Sequence, residues 1–289
     1  MSIQTYVEEY RNYMIVEKNF SMNTVRDYTS DLYKFIEHTG LSDIHEISKS
    51  KIREYLAFLN ESGLLPATRN RKLASIKSFC SYLCSEDHIE SDPSAGIGTA
   101  KTEKKLPVIF SVSETTSVIE EATDLRDRAI LEVFYGTGVR VGELSILKVR
   151  DIDPDRILAR ITGKGSKQRL VPMNSYSLQA IIKLLEQRRI SGETITPDSY
   201  IFPSPVDRTK PLSTRSIYNV CVKYGKRANV ENANPHKFRH SYATHLHENG
   251  MDIRNIQELL GHADISTTTI YTNVTTENLA GVRVSHPRN

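Results

Sequence analysis

Val149-Arg-Asp-Ile-Asp-Pro-Asp-Arg-Ile-Leu-Ala-Arg-Ile-Thr-Gly-Lys-Gly-Ser-Lys-Gln-Arg-Leu-Val-Pro172 interrupts a chain that otherwise reads as helix. Three short β-prone runs, Val149–Ile152, Ile157–Thr162 and Lys167–Val171, are parted by Asp153-Pro154-Asp155 and by Gly163-Lys164-Gly165-Ser166. Short runs rich in branched residues and bounded by turn formers predict a three-stranded antiparallel meander. On either side the apolar period returns to that of a helix. Met22–His38 carries Val25, Tyr28, Leu32, Phe35 and Ile36 behind Ser21, a capping candidate, and Pro66–Tyr82 sets Leu73, Ile76, Phe79 and Cys80 on one side. Ser111-x-x-Glu114 is a capping box ahead of Val118, Ile119 and Ala122. Asp124–Tyr135 reads as a strongly apolar helix closed by Gly136, and Val139–Leu147 as another. The expected fold class is mainly α with a small antiparallel β-sheet.

The chain has 289 residues, a length that suits two modest domains. Between about residues 92 and 106, from Asp92-Pro93-Ser94-Ala95-Gly96 to Lys101–Lys105, turn formers and a charge run replace any apolar period, which predicts a linker. The expected division is a helical domain over 1–91, the linker over 92–106 and a second domain over 107–289. Apolar residues at 38% and charged residues at 25% exclude a disordered chain. No apolar run approaches 18 residues, so no membrane span is expected. The start, Met1-Ser-Ile-Gln-Thr-Tyr-Val-Glu-Glu, lacks a secretory layout, and three cysteines are too few for a disulfide framework. A reduced, cytoplasmic protein is expected.

Net charge is only +3, but it is unevenly spread. Residues 1–100 carry 11 Lys and Arg against 14 Asp and Glu; the remainder carries 27 against 21. Lys164–Arg169 and Lys223–Arg227 each hold three cations and no acid. A polyanionic partner is compatible with this, as is a solvated basic face. Arg69, Arg71, Lys72 and Lys77 on the Pro66–Tyr82 helix leave the same choice open.

Several motifs fail on inspection. Gly136-Thr-Gly-Val-Arg-Val-Gly142 is one residue too long for a dinucleotide fingerprint and follows a helix. Gly163-Lys164-Gly165-Ser166 lacks the upstream glycine of a P-loop. His236 and His240 share a helix face without the glutamate of a zinc-protease motif, so neither a metal nor another cofactor is expected.

Four separated segments remain. In Thr137–Leu147, residues 140, 143, 144 and 147 fall on one helical stripe, so Glu143 can hold the Arg140 guanidinium. In Asn234-Pro-His236-Lys-Phe-Arg239-His240, Asn234 and Pro235 start a helix whose positive end carries His236 and Arg239. Lys164 sits at a glycine-flanked hairpin tip. Gly261-His262 follows a helix end, with Tyr271 nine residues on. Each has a plain structural explanation, the first as a helix-rim ion pair. Together, two arginines, two histidines, a lysine and a tyrosine suit attack by a phenol on a phosphodiester, with guanidiniums stabilising the charge at phosphorus.

These boxes, in this order and over nearly the whole chain, closely resemble the tyrosine recombinase (phage-integrase) family. The resemblance places the family's first arginine on Arg140 with its acidic partner Glu143. The hairpin lysine falls on Lys164 rather than Lys167, and the His-x-x-Arg box on His236–Arg239. The Leu-Gly-His motif is Leu260-Gly261-His262, and the nucleophile is Tyr271. Ser21-Met-Asn-Thr24 and Thr68-Arg-Asn-Arg-Lys-Leu73 resemble the family's helical core-binding domain, and Ser285-His-Pro-Arg288 the Xer subgroup, which resolves chromosome dimers.

The resemblance implies a metal- and ATP-independent DNA strand transferase acting through a 3′-phosphotyrosine. Its partner is double-stranded DNA at a specific recombination site. Four protomers join two duplexes, as a homotetramer or with a paralogous recombinase, and a C-terminal segment at about 275–289 is exchanged between neighbours. In this frame Arg69, Arg71, Lys77 and Lys167 are DNA-contact candidates. Two other readings stay open: a type IB-like topoisomerase, and a catalytically silent DNA-binding protein on the same scaffold.

Overall fold

The structure, a computed structural model, describes residues 2–102, 108–261 and 285–288. They form two compact units, Met1–Lys105 and Leu106–Asn289. In the first, α1 (Ile3–Val16), α2 (Met22–Thr39), α3 (Lys49–Glu61) and α4 (Pro66–Ser85) share one core. The Ser21 hydroxyl accepts the Thr24 amide at 3.2 Å, as its capping position predicts, and α2 stops at left-handed Gly40. Val25, Leu32, Phe35 and Ile36 of α2 and Leu73, Ile76, Phe79 and Cys80 of α4 are buried, so the periodicity located this core.

Asp31 lies in the same layer, only 2% exposed. A buried carboxylate needs partners. Lys72 Nζ supplies one at 2.8 Å, and the Arg71 guanidinium and Ser75 hydroxyl supply others. The stretch expected to be a linker from residue 92 begins against this unit. Asp92 caps a turn through Ser94, Ile97 enters the core, and the Asn70 amide exchanges two 2.8 Å bonds with the Ala100 backbone. A lone isoleucine has no period, so the sequence pattern did not reveal that packing.

The second unit is built round α6 (Leu125–Thr137), whose residues from Ala129 to Thr137 are buried on every side. Around it lie α5 (Val112–Glu120), α7 (Val141–Ser145), α8 (Ser175–Ile190), α9 (Thr214–Arg227) and α10 (Pro235–Glu248), with α11 (Ile253–Leu260) against α10. Two corrections concern glycines. Gly136 does not end α6. It lies within it, where a Cβ would stand 2.0 Å from Ser177 Oγ, so its absence lets α8 approach. The helix ends at Gly138, in the left-handed conformation at φ 62°. The helix expected over Val139–Leu147 is correspondingly shorter, because Arg140 is extended and α7 begins at Val141.

The sheet has β1 (Ile152–Asp153), β2 (Leu158–Thr162) and β3 (Gln168–Pro172), antiparallel in that order. Ile161 pairs with Arg169 and Ala159 with Val171. The expected first strand shrinks to two residues. Val149–Asp151 form a 3₁₀ turn whose Val149 and Arg150 amides donate to Ser199 and Pro197 carbonyls rather than to a neighbouring strand.

The last described residues are held on their own unit. His286 Nε2–H donates to the Tyr135 carbonyl at 2.9 Å, and its Nδ1 accepts the Arg288 amide. Asn249 donates to Ser285 O, and Arg288 pairs with buried Glu132 at 3.1 Å. No helix among the described residues is long and apolar enough to cross a membrane.

Candidate active site

Asn234 Oδ1 accepts the Lys237 amide at 3.0 Å and Pro235 opens α10, so the helix starts where the sequence placed it. That start leaves His236 exposed and turns Arg239 inward, 8% exposed. Arg239 Nη1 donates to Gly138 O and Nη2 to Leu260 O, both at 2.7 Å. Burial, and then the nearby charge of Arg140, push its pKa down to about 10, leaving it a cation at neutral pH.

Arg140 approaches from the other side. Its Nη1 donates to Leu260 O at 3.3 Å and its Nη2 to Gly261 O at 3.1 Å. The α11 helix ends there because Gly261 is left-handed at φ 65°. Unpaired terminal carbonyls carry the negative end of the helix dipole, which favours cations. Two guanidiniums from distant segments thus meet on one helix end, and His262 is the next residue. Each retains N–H groups beyond those bonds, in the fork geometry that suits two oxygens of a phosphate.

Glu143 sits beneath them, 6% exposed. It accepts the Arg140 amide at 2.8 Å and Arg140 Nη1 at 3.2 Å. The pairing expected from the spacing is present, although Arg140 precedes the helix instead of lying on its stripe. Burial opposes ionisation of Glu143, but the bonds and charge of Arg169, with those of Arg140, outweigh it and hold the carboxyl below its usual range.

Arg169 is the residue that sequence reading missed. Its Nη1 and Nη2 donate to the two Glu143 oxygens at 2.8 Å each, and its Nε donates to Leu259 O at 2.9 Å. A signal existed: in Gln168–Pro172 the arginine takes the inward phase with Val171, while Leu170 points outward, 40% exposed. The described site therefore holds three guanidiniums against one carboxylate, an excess of positive charge.

Lys164 opens the turn between β2 and β3, as expected from its glycines. The backbone of Gly163 lies against the Glu143 carboxylate, which a Cβ there would approach to 3.4 Å. Lys167 is exposed on the same turn. His262 and Tyr271 lie outside the described residues. The remaining candidates belong to the first unit: Arg71 is committed to Asp31, Arg69 donates to the Asn60 side chain, and Lys77 is half-buried on α4. Among the described residues no three His, Cys, Asp or Glu side chains gather as metal ligands.

Residues 102–278 match the profile of the phage integrase family, and residues 7–87 that of the phage integrase N-terminal SAM-like domain. The chain belongs to the phage integrase family. Within that family it is 38% identical over 299 residues to the tyrosine recombinase XerD of Bifidobacterium longum, covering 97% of this chain and 96% of the relative. It is 35% identical over 304 residues to the tyrosine recombinase XerC of Xanthomonas axonopodis pv. citri, covering 98% and 96%. The crystal structure of the XerA recombinase aligns over 99% of both chains with 28% identity and a TM-score of 0.51. A lambda integrase tetramer bound to a Holliday junction covers 100% of this chain and 79% of the integrase chain at 19% identity and a TM-score of 0.70, which shows the shared fold. This integrase-family chain is a tyrosine site-specific recombinase.

Proposed function

We propose that the protein recombines a specific site in double-stranded DNA through a phosphotyrosine intermediate and resolves chromosome dimers in the cytoplasm. The observation that carries the site assignment is the meeting of Arg140 and Arg239 on the Leu260 carbonyl, one residue from Gly261-His262. Arg140 and Arg239 clamp the non-bridging oxygens of the scissile phosphate, supplying charge that a metal ion supplies in other phosphoryl transferases. Glu143 orients Arg140.

The Tyr271 oxygen attacks phosphorus while the bond to the 5′-oxygen breaks, giving a 3′-phosphotyrosyl ester. The phenol, with a reference pKa near 10, passes its proton to His236. Lys164 protonates the departing 5′-oxygen, a role worth roughly 10²–10⁴-fold. His262 donates a hydrogen bond to the phosphate. A 5′-hydroxyl from the partner duplex then attacks the ester and releases Tyr271, so bond energy is conserved without ATP.

Both the helical first unit and the catalytic unit bind DNA, with Arg69, Arg71 and Lys77 of the first and Lys167 of the second as backbone contacts. Affinity therefore falls steeply with salt. Four protomers join two duplexes, and the segment at about 275–289 is exchanged between them. The relatives named XerC and XerD are nearly equally similar to this chain, which supports action either alone or beside a paralogue.

The test is a nicked suicide substrate drawn from the chromosome-terminus region of the source genome. The expected result is a denaturation-resistant protein–DNA adduct and, with two intact sites, recombinant products. Relaxation of supercoiled plasmid by a monomer without recombinants would replace this reading with a topoisomerase. Specific binding with no adduct would leave a silent scaffold.

A further inference from the structure

Arg169 has no role in the chemistry above, yet its placement is costly. A guanidinium on the inward phase of a strand gives up hydration, and its neighbour Leu170 stays in water. Arg169 is 11% exposed along its side chain and is held by Glu143 at both carboxylate oxygens and by the Leu259 carbonyl. Gly261 packs on it so closely that a Cβ would stand 3.3 Å from three of its atoms. The successive carbonyls of Leu259, Leu260 and Gly261 are thus taken by Arg169, by Arg239 with Arg140, and by Arg140.

We propose that Arg169 is a positioning residue of the recombinase. It fixes both the carboxylate that orients Arg140 and the helix end from which the chain enters His262. The inference rests on Arg140 and Arg239 being the phosphate clamp. Without Arg169, the buried Glu143 carboxylate faces Arg140 from the start of α7 and Arg239 from α10, while α11 presents carbonyl oxygens. With its bidentate partner gone, desolvation favours the neutral acid, which no longer holds Arg140.

The experiment compares wild type, Arg169→Met and Arg169→Lys as full-length proteins. The first-order rate of suicide-substrate capture is measured at saturating DNA from pH 6 to pH 8. Arg169→Met is expected to lose about 10-fold or more at neutral pH, with DNA affinity within about twofold, because the Arg169 guanidinium is nearly buried and already bonded to Glu143 and Leu259. The wild-type-to-variant rate ratio grows as pH falls, since Glu143 takes up a proton only in the variant. The ratio cancels any pH dependence that both proteins share. Arg169→Lys keeps the charge without the bidentate geometry and recovers part of the rate.

A ratio independent of pH, or a lysine variant no better than the methionine one, overturns the proposal. If Arg169→Met fails to fold by thermal unfolding, the lysine variant's ratio decides by the same criterion. Arg140→Ala serves as the control: near-wild-type capture there refutes the clamp itself. Loss of capture there, beside a flat Arg169 ratio, refutes only the positioning role.

Discussion

Arg140 and Arg239 donate to a single carbonyl oxygen, that of Leu260, at 3.3 and 2.7 Å. Two cations so close repel each other, and the neighbourhood of Arg140 is one reason the Arg239 pKa is lowered. The negative end of α11 and the Glu143 carboxylate offset that repulsion in the free protein. A phosphate between the guanidiniums would offset it further, so the pair is preorganised for an anion.

Removing either guanidinium should therefore cost more than about 100-fold in cleavage, the scale of losing one oxyanion donor. Arg239→Lys should recover little, because one ammonium cannot serve Gly138 O, Leu260 O and a phosphate in the planar geometry of arginine. Single-turnover capture of a nicked substrate measures both. Cleavage by Arg140→Ala near the wild-type rate would return that residue to a helix-rim ion pair.

Tyr271→Phe removes only the nucleophilic oxygen. DNA binding in a gel-shift assay should persist while covalent capture disappears. A phosphotyrosyl adduct in that variant would place the nucleophile elsewhere.

Gly138→Ala should destabilise the protein by about 2–4 kcal/mol, combining a left-handed backbone with overpacking. Its Cβ would stand 2.4 Å from Tyr242 Cδ1. Gly142→Ala is the contrast, because it is exposed in a helix and meets nothing within 4 Å. That change should be neutral or stabilising by about 0.4–1 kcal/mol. Urea unfolding of the two variants tests the assignment.

Acid should weaken the fold through two histidines. His245 donates to Phe110 O and accepts the Tyr135 hydroxyl, while His286 bridges Tyr135 O and the Arg288 amide. Burial lowers both pKa values, so both rings are neutral in the folded state at a pH where the unfolded chain binds protons. Their stabilisation is present above the ordinary histidine value, near 6.5, and is lost as pH falls below it. Between pH 7.5 and 5.5 the loss should be about 1–3 kcal/mol. His286→Gln should flatten the slope in thermal unfolding across that range.

Cleavage should survive excess chelator, since guanidinium charge serves the phosphate. Dependence of the adduct yield on added magnesium would contradict that scheme.

Much of the molecule was legible before its coordinates. Ser21, Ser111 and Asn234 cap the helices their positions predict, because a side-chain oxygen reaching an amide three residues on is a local event. Apolar residues at helical spacing located both cores. Errors fell where a local rule met a distant partner. Gly136 looked like a helix stop and proved to be a contact with α8. Val149 and Arg150 looked like strand and were satisfied by residues 197–199. Lys72 looked like part of a solvated or phosphate-facing edge, and it is buried against Asp31.

By itself the amino-acid order determined most element types, their caps and the kinds of side chain present in each motif, since these follow from backbone preference and side-chain chemistry within a few residues. Only the tertiary structure decided that Arg140 and Arg239 share the Leu260 carbonyl and that Arg169 lies beneath them. Hydrogen bonds between segments far apart in the chain are set by how the helices pack, and no spacing along the sequence encodes that geometry.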